Sequence, residues 1–322
     1  MSDAVARLKA QLPEHPLADE LTPLADDYTG LRILAVHAHP DDESSKGSAS
    51  AAAYTDRGAR YMVATMTGGE RGDILNEEIK HSPRAHRDLP GMRRSEMAAA
   101  AKAIGIEHRW MGFVDSGLPE GDPMPPLPFG CFGVQPLERA AAPLVRLVRE
   151  YRPHVMISYD EIGGYPHPDH IMSHKVAVEA YEKAGDPEAY VGEGQPWAPL
   201  KLYYDRAFNP ERLVAGHEFL MARDGQSVFS GWVENLVDQV STEGIRHEST
   251  TRIPSSVYFD QRDQAMLAHA SQIDPNGAFF AIPTEDVKKV WPWEDYTLIA
   301  SRVPVDLPEC CLADGLDYKA AG

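Results

Sequence analysis

Apolar positions along this chain fall into two patterns that take turns. Short, nearly continuous runs at 31–38 and 154–160 read as strands buried on both faces, while the stretches between such runs carry apolar residues at helical spacing. The pattern predicts strands at 31–38, 60–66, 108–113 and 154–160, alternating with helices at 44–57, 91–104, 137–151 and 168–184. Gly58 and Gly105 stand just past two of those helices, where a left-handed closing residue is favoured. Such alternation implies an α/β fold, a Rossmann-like, mostly parallel sheet with helices on both faces. Beyond Asp186 it loosens into strands at 201–208 and 296–303 and a helix at 259–273, and no linker-like composition marks a boundary. The organisation expected is an N-terminal extension (1–30), an α/β core (31–185) and a C-terminal elaboration (186–322) packed on the same sheet. The extension is polar and proline-bearing, and is expected to lie on the surface without chemistry of its own.

Charge narrows the partners. With 49 acidic and 31 basic residues the net charge is −18, a surface that repels phosphate backbones, so no nucleic-acid partner is expected. No run approaches the roughly 20 apolar residues that span a bilayer, and the start lacks a basic-then-apolar signal, so a cytoplasmic protein without a membrane partner is expected. Cys131, Cys310 and Cys311 are odd in number and show no paired C-x-x-C spacing, which points to inert packing.

The candidate chemistry sits where strands end. His39-Pro40-Asp41-Asp42-Glu43 closes the first apolar run, and Tyr165-Pro166-His167-Pro168-Asp169-His170 follows the run at 154–160. Open α/β sheets bind ligands outside the carboxyl ends of their strands. His39 and Asp42 can face one point from a strand end and the next helical turn, and His170 completes a set of two imidazoles and one carboxylate with coordination positions left open. Asp41, between them, faces elsewhere and is free to handle protons. A plain helix cap at Asp41 or Asp42 is the alternative, but it does not explain two such clusters. In Thr67-Gly68-Gly69-Glu70-Arg71-Gly72-Asp73 the spacing is wrong for a phosphate cradle; Glu70 or Arg71 either contacts substrate or shapes a tight turn. Asp115 either accepts from sugar hydroxyls or makes an Asx turn before Gly117. His37 reads as a core histidine, and His269 as structural.

Together these segments resemble the zinc-dependent N-acetylglucosamine deacetylase superfamily named after LmbE and PIG-L. His39-Pro40-Asp41-Asp42-Glu43 is similar to its first signature and His167-Pro168-Asp169-His170 to its second. Ser44-Ser45-Lys46-Gly47, the segments around Glu70 and Asp115, and His269-Ala270-Ser271-Gln272 are similar to the branch that hydrolyses S-conjugates of the thiol sugar mycothiol. The resemblance implies Zn²⁺ on His39, Asp42 and His170, Asp41 as general base, His167 facing the oxyanion with Tyr165 beside it, and substrate contacts from Lys46 and Asp115. Asp169 would orient an imidazole. Lys46, one helical turn after Asp42, is expected to reach over the pocket rim, although spacing alone reads it as a solvated lysine. The small-molecule substrate implied is a thiol-sugar conjugate; the alternative within the superfamily is deacetylation of N-acetylglucosaminyl-inositol. Iron(II) suits the same donors, and a non-haem iron oxygenase is the rival from another class. Carboxylate bases beside the metal and the strand pattern favour hydrolysis.

Overall fold

The computed structural model describes residues 2–10, 12, 21–243 and 246–319. Seven strands form one sheet: β1 Arg32–His37, β2 Arg60–Thr67, β3 Glu107–Phe113, β4 Val155–Ser158, β5 Lys201–Asp205, β6 Thr251–Pro254 and β7 Trp293–Ser301, in the order β3-β2-β1-β4-β5-β7-β6. The first five are parallel; β7 runs antiparallel beside β5, and β6 antiparallel beside β7. The order reverses between β1 and β4, so the two His-Pro-Asp clusters emerge side by side at the topological switch point.

The helices are α1 Ser2–Lys9, α2 Asp42–Ser45, α3 Ser48–Asp56, α4 Pro83–Arg87, α5 Leu89–Ile104, α6 Leu137–Tyr151, α7 Pro168–Lys183, α8 Pro210–Asp224, α9 Ser230–Glu243, α10 Phe259–Ala268 and α11 Thr284–Val290. Alternate residues of β1 feed opposite layers, as strand geometry requires. Ile33 and Ala35 pack in the core shared with α3, α5 and α10, whereas Leu34 and Val36 pack in the core shared with α6 and α7. Both faces of the strand are buried in apolar packing, which explains the unbroken apolar run.

Three departures from the sequence reading matter. The helix expected at 44–57 is broken at Gly47, whose φ of 94° is left-handed; an added Cβ there would lie 2.5 Å from the Tyr296 hydroxyl oxygen. The elaboration contains α8, α9, β6 and α11, which the pattern did not reveal, and β5, β7 and β6 continue the sheet. The extension is also more than a surface strip. Val5 and Leu8 of α1 pack with Val214, Val233 and Val240 of α8 and α9, and Leu24 and Tyr28 enter the main core; residues 1, 11 and 13–20 lie outside the described residues. All three cysteines are free. Cys131 is buried, and the Cys311 sulfur lies 3.1 Å from the Tyr28 hydroxyl. Among the described residues no helix is long and apolar enough to cross a membrane.

Candidate metal and catalytic site

The chain leaves β1 and turns sharply at Asp41, a non-glycine residue at φ 127° and ψ −27°. That conformation costs on the order of 1–3 kcal/mol and persists only where the surroundings impose it. Here they do. The Asp41 backbone N–H donates to Glu43 Oε2 at 2.9 Å, and His269 Nε2 lies 2.6 Å from Glu43 Oε1. Arg93 donates to the Pro40 carbonyl at 2.6 Å and to Asp41 Oδ2 at 3.0 Å. The turn sends Asp41 and Asp42 to different surroundings, Asp41 to Arg93 and Asp42 to Tyr159 and Lys46. Asp41 heads α2 yet makes no side-chain cap, so the capping alternative does not describe it. Burial raises its carboxyl above the ordinary range, against the opposing pull of the Arg93 guanidinium.

Asp42 faces the imidazoles. Its Oδ2 accepts from the His39 backbone N–H at 2.9 Å and the Tyr159 hydroxyl at 2.7 Å, and lies 3.7 Å from His39 Nδ1 and 3.5 Å from His170 Nε2. His170 is fully buried and its Nδ1 lies 2.9 Å from the Gly163 carbonyl, while Nε2 has no hydrogen-bond partner. Gly163 has to be glycine: at φ 76° an added Cβ would fall 2.4 Å from that of His170. Burial holds His170 down at about 3, so its ring is neutral. Tyr159 stacks on the ring with centroids 4.5 Å apart. Donor atoms arranged tetrahedrally around a zinc-sized ion at ordinary bond lengths sit about 3.4 Å apart. The separations of Asp42 Oδ2 from the two ring nitrogens are near that figure and His170 Nε2 is left open, but Asp42 is not in either group whose donor atoms all lie within 4.8 Å of one another.

His39 turns its other nitrogen away. Nε2 lies 3.2 Å from Asp169 Oδ2 and 3.6 Å from Asp115 Oδ1. Burial would lower this imidazole, but the two carboxylates and Asp42 outweigh it and raise His39 to about 10. Asp169 thus orients His39, and is itself fixed by the Ser116 backbone N–H at 2.9 Å and the Ser116 hydroxyl. Nitrogens of His39, His167 and His170 lie within 4.8 Å of one another, and so do donor atoms of His39, Asp115 and Asp169. In the second group the carboxylates accept hydrogen bonds from Arg71, Gly117 and Ser116, as Asp42 accepts from His39, Tyr159 and Lys46.

His167 caps α7, its Nδ1 accepting the Asp169 N–H at 3.1 Å, so a neutral ring carries its proton on Nε2. The ring is not cationic: burial, and then the His39 charge, hold it down at about 4. Tyr165 is partly exposed at the rim, its ring 4.6 Å from that of His170.

The expected substrate contacts fare unevenly. Lys46 is not at the rim: only 6% exposed, it donates to Asp42 Oδ1 at 2.6 Å, and that ion pair outweighs burial to raise its ammonium further. Lys46 ends the short α2 just before the left-handed Gly47. Asp115 is buried and spends its carboxylate on the Arg71 and Gly117 N–H groups and on His39, which is the Asx-turn reading with an added role, not that of a sugar contact. Its carboxyl is well below the usual range; burial alone would raise it, but the His39 hydrogen bond and charge prevail. Glu70 accepts the Asp115 N–H at 3.1 Å and Arg71 donates to the Asp115 carbonyl, so both brace the loop. Sequence reasoning missed Arg93 and Tyr159, and left His269 without a partner. Arg93 and Tyr159 have no motif spacing of their own. His269 stood in a distinctive Ala-His-Ala-Ser-Gln context, which was the available signal.

This arrangement, a buried cluster of imidazoles and carboxylates at the switch point of an α/β sheet, defines a class. Residues 34–181 match the family described as PIG-L, GlcNAc-PI de-N-acetylase, and the chain belongs to that family of deacetylase and amidase hydrolases. A mycothiol S-conjugate amidase of Streptomyces coelicolor is 46% identical over 292 residues, covering 90% of this chain and 99% of that protein. A 1D-myo-inositol 2-acetamido-2-deoxy-alpha-D-glucopyranoside deacetylase of Streptomyces avermitilis is 37% identical, covering 85% of this chain and 93% of that protein. Two solved structures share the fold with a TM-score of 0.55: N,N'-diacetylchitobiose deacetylase of Pyrococcus horikoshii (14% identity, 83% of each chain) and the 4-carboxy-2-hydroxymuconate hydratase GalB of Pseudomonas putida (16% identity, 86% of this chain and 99% of that one). A deacetylase and a hydratase on one scaffold show that the fold alone does not name the reaction.

Proposed function

We propose that this chain is a metal-dependent amidase that hydrolyses the amide of mycothiol S-conjugates, giving a mercapturic acid and glucosaminyl-inositol. The observation that carries the hydrolytic reading is the buried, unpartnered His170 Nε2 lying 3.5 Å from Asp42 Oδ2. The amidase branch is supported by the 46% identity over nearly the full length of the Streptomyces coelicolor protein, against 37% for the deacetylase of Streptomyces avermitilis. His39 through Nδ1, Asp42 through Oδ2 and His170 through Nε2 would hold the ion, zinc or iron(II). Such an ion, when bound, polarises a carbonyl and lowers the pKa of water from 15.7 toward about 7.

The chain's own groups complete the reaction. Asp41 takes a proton from the attacking water and delivers it to the departing glucosamine nitrogen as the carbon–nitrogen bond breaks. Its raised pKa suits both halves of that transfer. His167, neutral with its proton on Nε2, donates to the carbonyl oxygen as negative charge develops there. Asp169 and Lys46 fix His39 and Asp42 from behind, and Tyr165 lines the rim. Turnover of a mycothiol S-conjugate and of N-acetylglucosaminyl-inositol, measured under one set of conditions, tests the reading. A kcat/KM favouring the conjugate is expected; a preference for the acetylated sugar would move the chain to the deacetylase branch.

A further inference from the structure

The wall of the site nearest Tyr165 is Phe208, in the loop after β5. Its ring centroid lies 6.4 Å from that of Tyr165 and 5.8 Å from Lys46 Nζ. Behind Phe208 lies a cavity of about 150 Å³ between α8, the start of α9 and α11. Phe229, Trp232, Phe279, Ile282 and Trp291 line it, and Arg212 is the one charged residue among its described lining residues. A smaller space of about 70 Å³ adjoins it: Phe208, Arg212 and Phe279 line both, Arg262 and Glu294 add charge to the smaller one, and Ser45, the neighbour of Lys46, borders it on the side of the site. An apolar chamber of about this volume accommodates one six-membered ring. Nothing in the reaction itself calls for it. Amide hydrolysis needs the ion, a base and an oxyanion donor, all of which lie at the ends of β1 and β4.

We infer that this aromatic chamber is the binding site for the apolar group carried on sulfur by the conjugate, and that it sets which S-substituents are cleaved efficiently. The inference rests on the amidase reading above. Phe208, 48% exposed, and Phe279, 51% exposed, stand at the mouth with Trp232, so a flat ring passing inward meets aromatic faces throughout. Arg212, which lines both spaces, offers N–H donors to an acceptor near the ring, such as the N-acetyl carbonyl of the cysteinyl moiety. A pocket of this kind, mostly apolar with one oriented polar group, recognises a bulky ligand by shape.

The test compares S-benzyl and S-methyl conjugates of the same thiol sugar in the parent, in Ile282→Trp, which fills the chamber, and in Phe279→Ala, at a half-exposed position outside the buried core. The parent should favour the benzyl conjugate in kcat/KM by roughly tenfold or more, the range that a few methylene equivalents in an apolar pocket provide. Ile282→Trp should remove most of that preference while leaving S-methyl turnover near the parent value, and Phe279→Ala should reduce it in part. Calorimetric binding of S-benzyl-N-acetylcysteine, which involves no turnover, should weaken in the same order. If the parent cleaves both conjugates and the benzyl-to-methyl ratio is unchanged in both variants, the chamber assignment falls while the amidase reading stands. If the parent cleaves neither conjugate yet deacetylates N-acetylglucosaminyl-inositol, the amidase reading fails and takes this inference with it.

Discussion

The strand ends of β1 and β4 and the elaboration around β5 are built by opposite rules. Around His39, Asp42 and His170 buried polar groups hold the side chains in place and leave His170 Nε2 open: Tyr159 and Lys46 on Asp42, Asp169 on His39, the Gly163 carbonyl on His170. Around Phe208 the walls are aromatic faces, several of them half exposed. The contrast separates two demands. Chemistry needs orientation, which networks of hydrogen bonds supply; selection among bulky groups needs shaped volume, which rings supply.

Substitutions in the first region should therefore strike turnover on every substrate. Asp41→Asn should keep the metal and the fold but lose about two to four decades of kcat, read by steady-state kinetics beside elemental analysis. A parent-like rate would remove Asp41 from proton transfer. The same region should also be brittle. His269 faces Glu43 with no exposed surface, and Glu43 sits near 2 because the His269 charge overcomes its burial. His269→Ala leaves that carboxylate buried and uncompensated, for an expected loss of about 3–5 kcal/mol in denaturant unfolding. If stability stays within about 0.5 kcal/mol of the parent, the pair is not what holds the Asp41 turn.

Gly47→Ala comes next, combining a left-handed φ with a Cβ pressed on the Tyr296 hydroxyl; about 1–3 kcal/mol should be lost, and Lys46 should be displaced from Asp42. An unaltered unfolding midpoint would show that the break accommodates a side chain. The smallest effect concerns acid. Burial holds His108 and His154 down at about 4 in the folded chain, below the ordinary value near 6.5. The unfolded chain takes up those protons first, so their contribution is complete above about pH 6.5 and is lost as pH falls toward 4. A His108→Gln/His154→Asn double variant should show a flatter decline of stability over that window; a slope equal to the parent's would assign the acid sensitivity elsewhere.

How legible each region was follows from the same contrast. The parallel strands could be read because burial on both faces makes continuous apolar runs, and the two His-Pro-Asp clusters stood at their ends. β6 hid because Arg252, charged and only 2% exposed, lies within it, made tolerable by Asp295 at 3.2 Å and by the rings of Trp291 and Trp293 at 5.1 and 5.0 Å. None of those partners is near it in sequence. α9 carries Val233, Leu236, Val237 and Val240 at helical spacing and was readable in principle. The inward Lys46 was not legible because the helix breaks beside it at Gly47, which packs on Tyr296, far along the chain. The Arg93 contact with Asp41 likewise joins positions that only the packed fold brings together.

The central claim is that one divalent ion is held by His39, Asp42 and His170 and that amide cleavage depends on it. His170→Ala, analysed for metal stoichiometry and for turnover of a mycothiol S-conjugate in the same preparation, tests it most directly. The account predicts that metal and nearly all cleavage are lost together while the fold persists; stoichiometric metal with undiminished cleavage would contradict it.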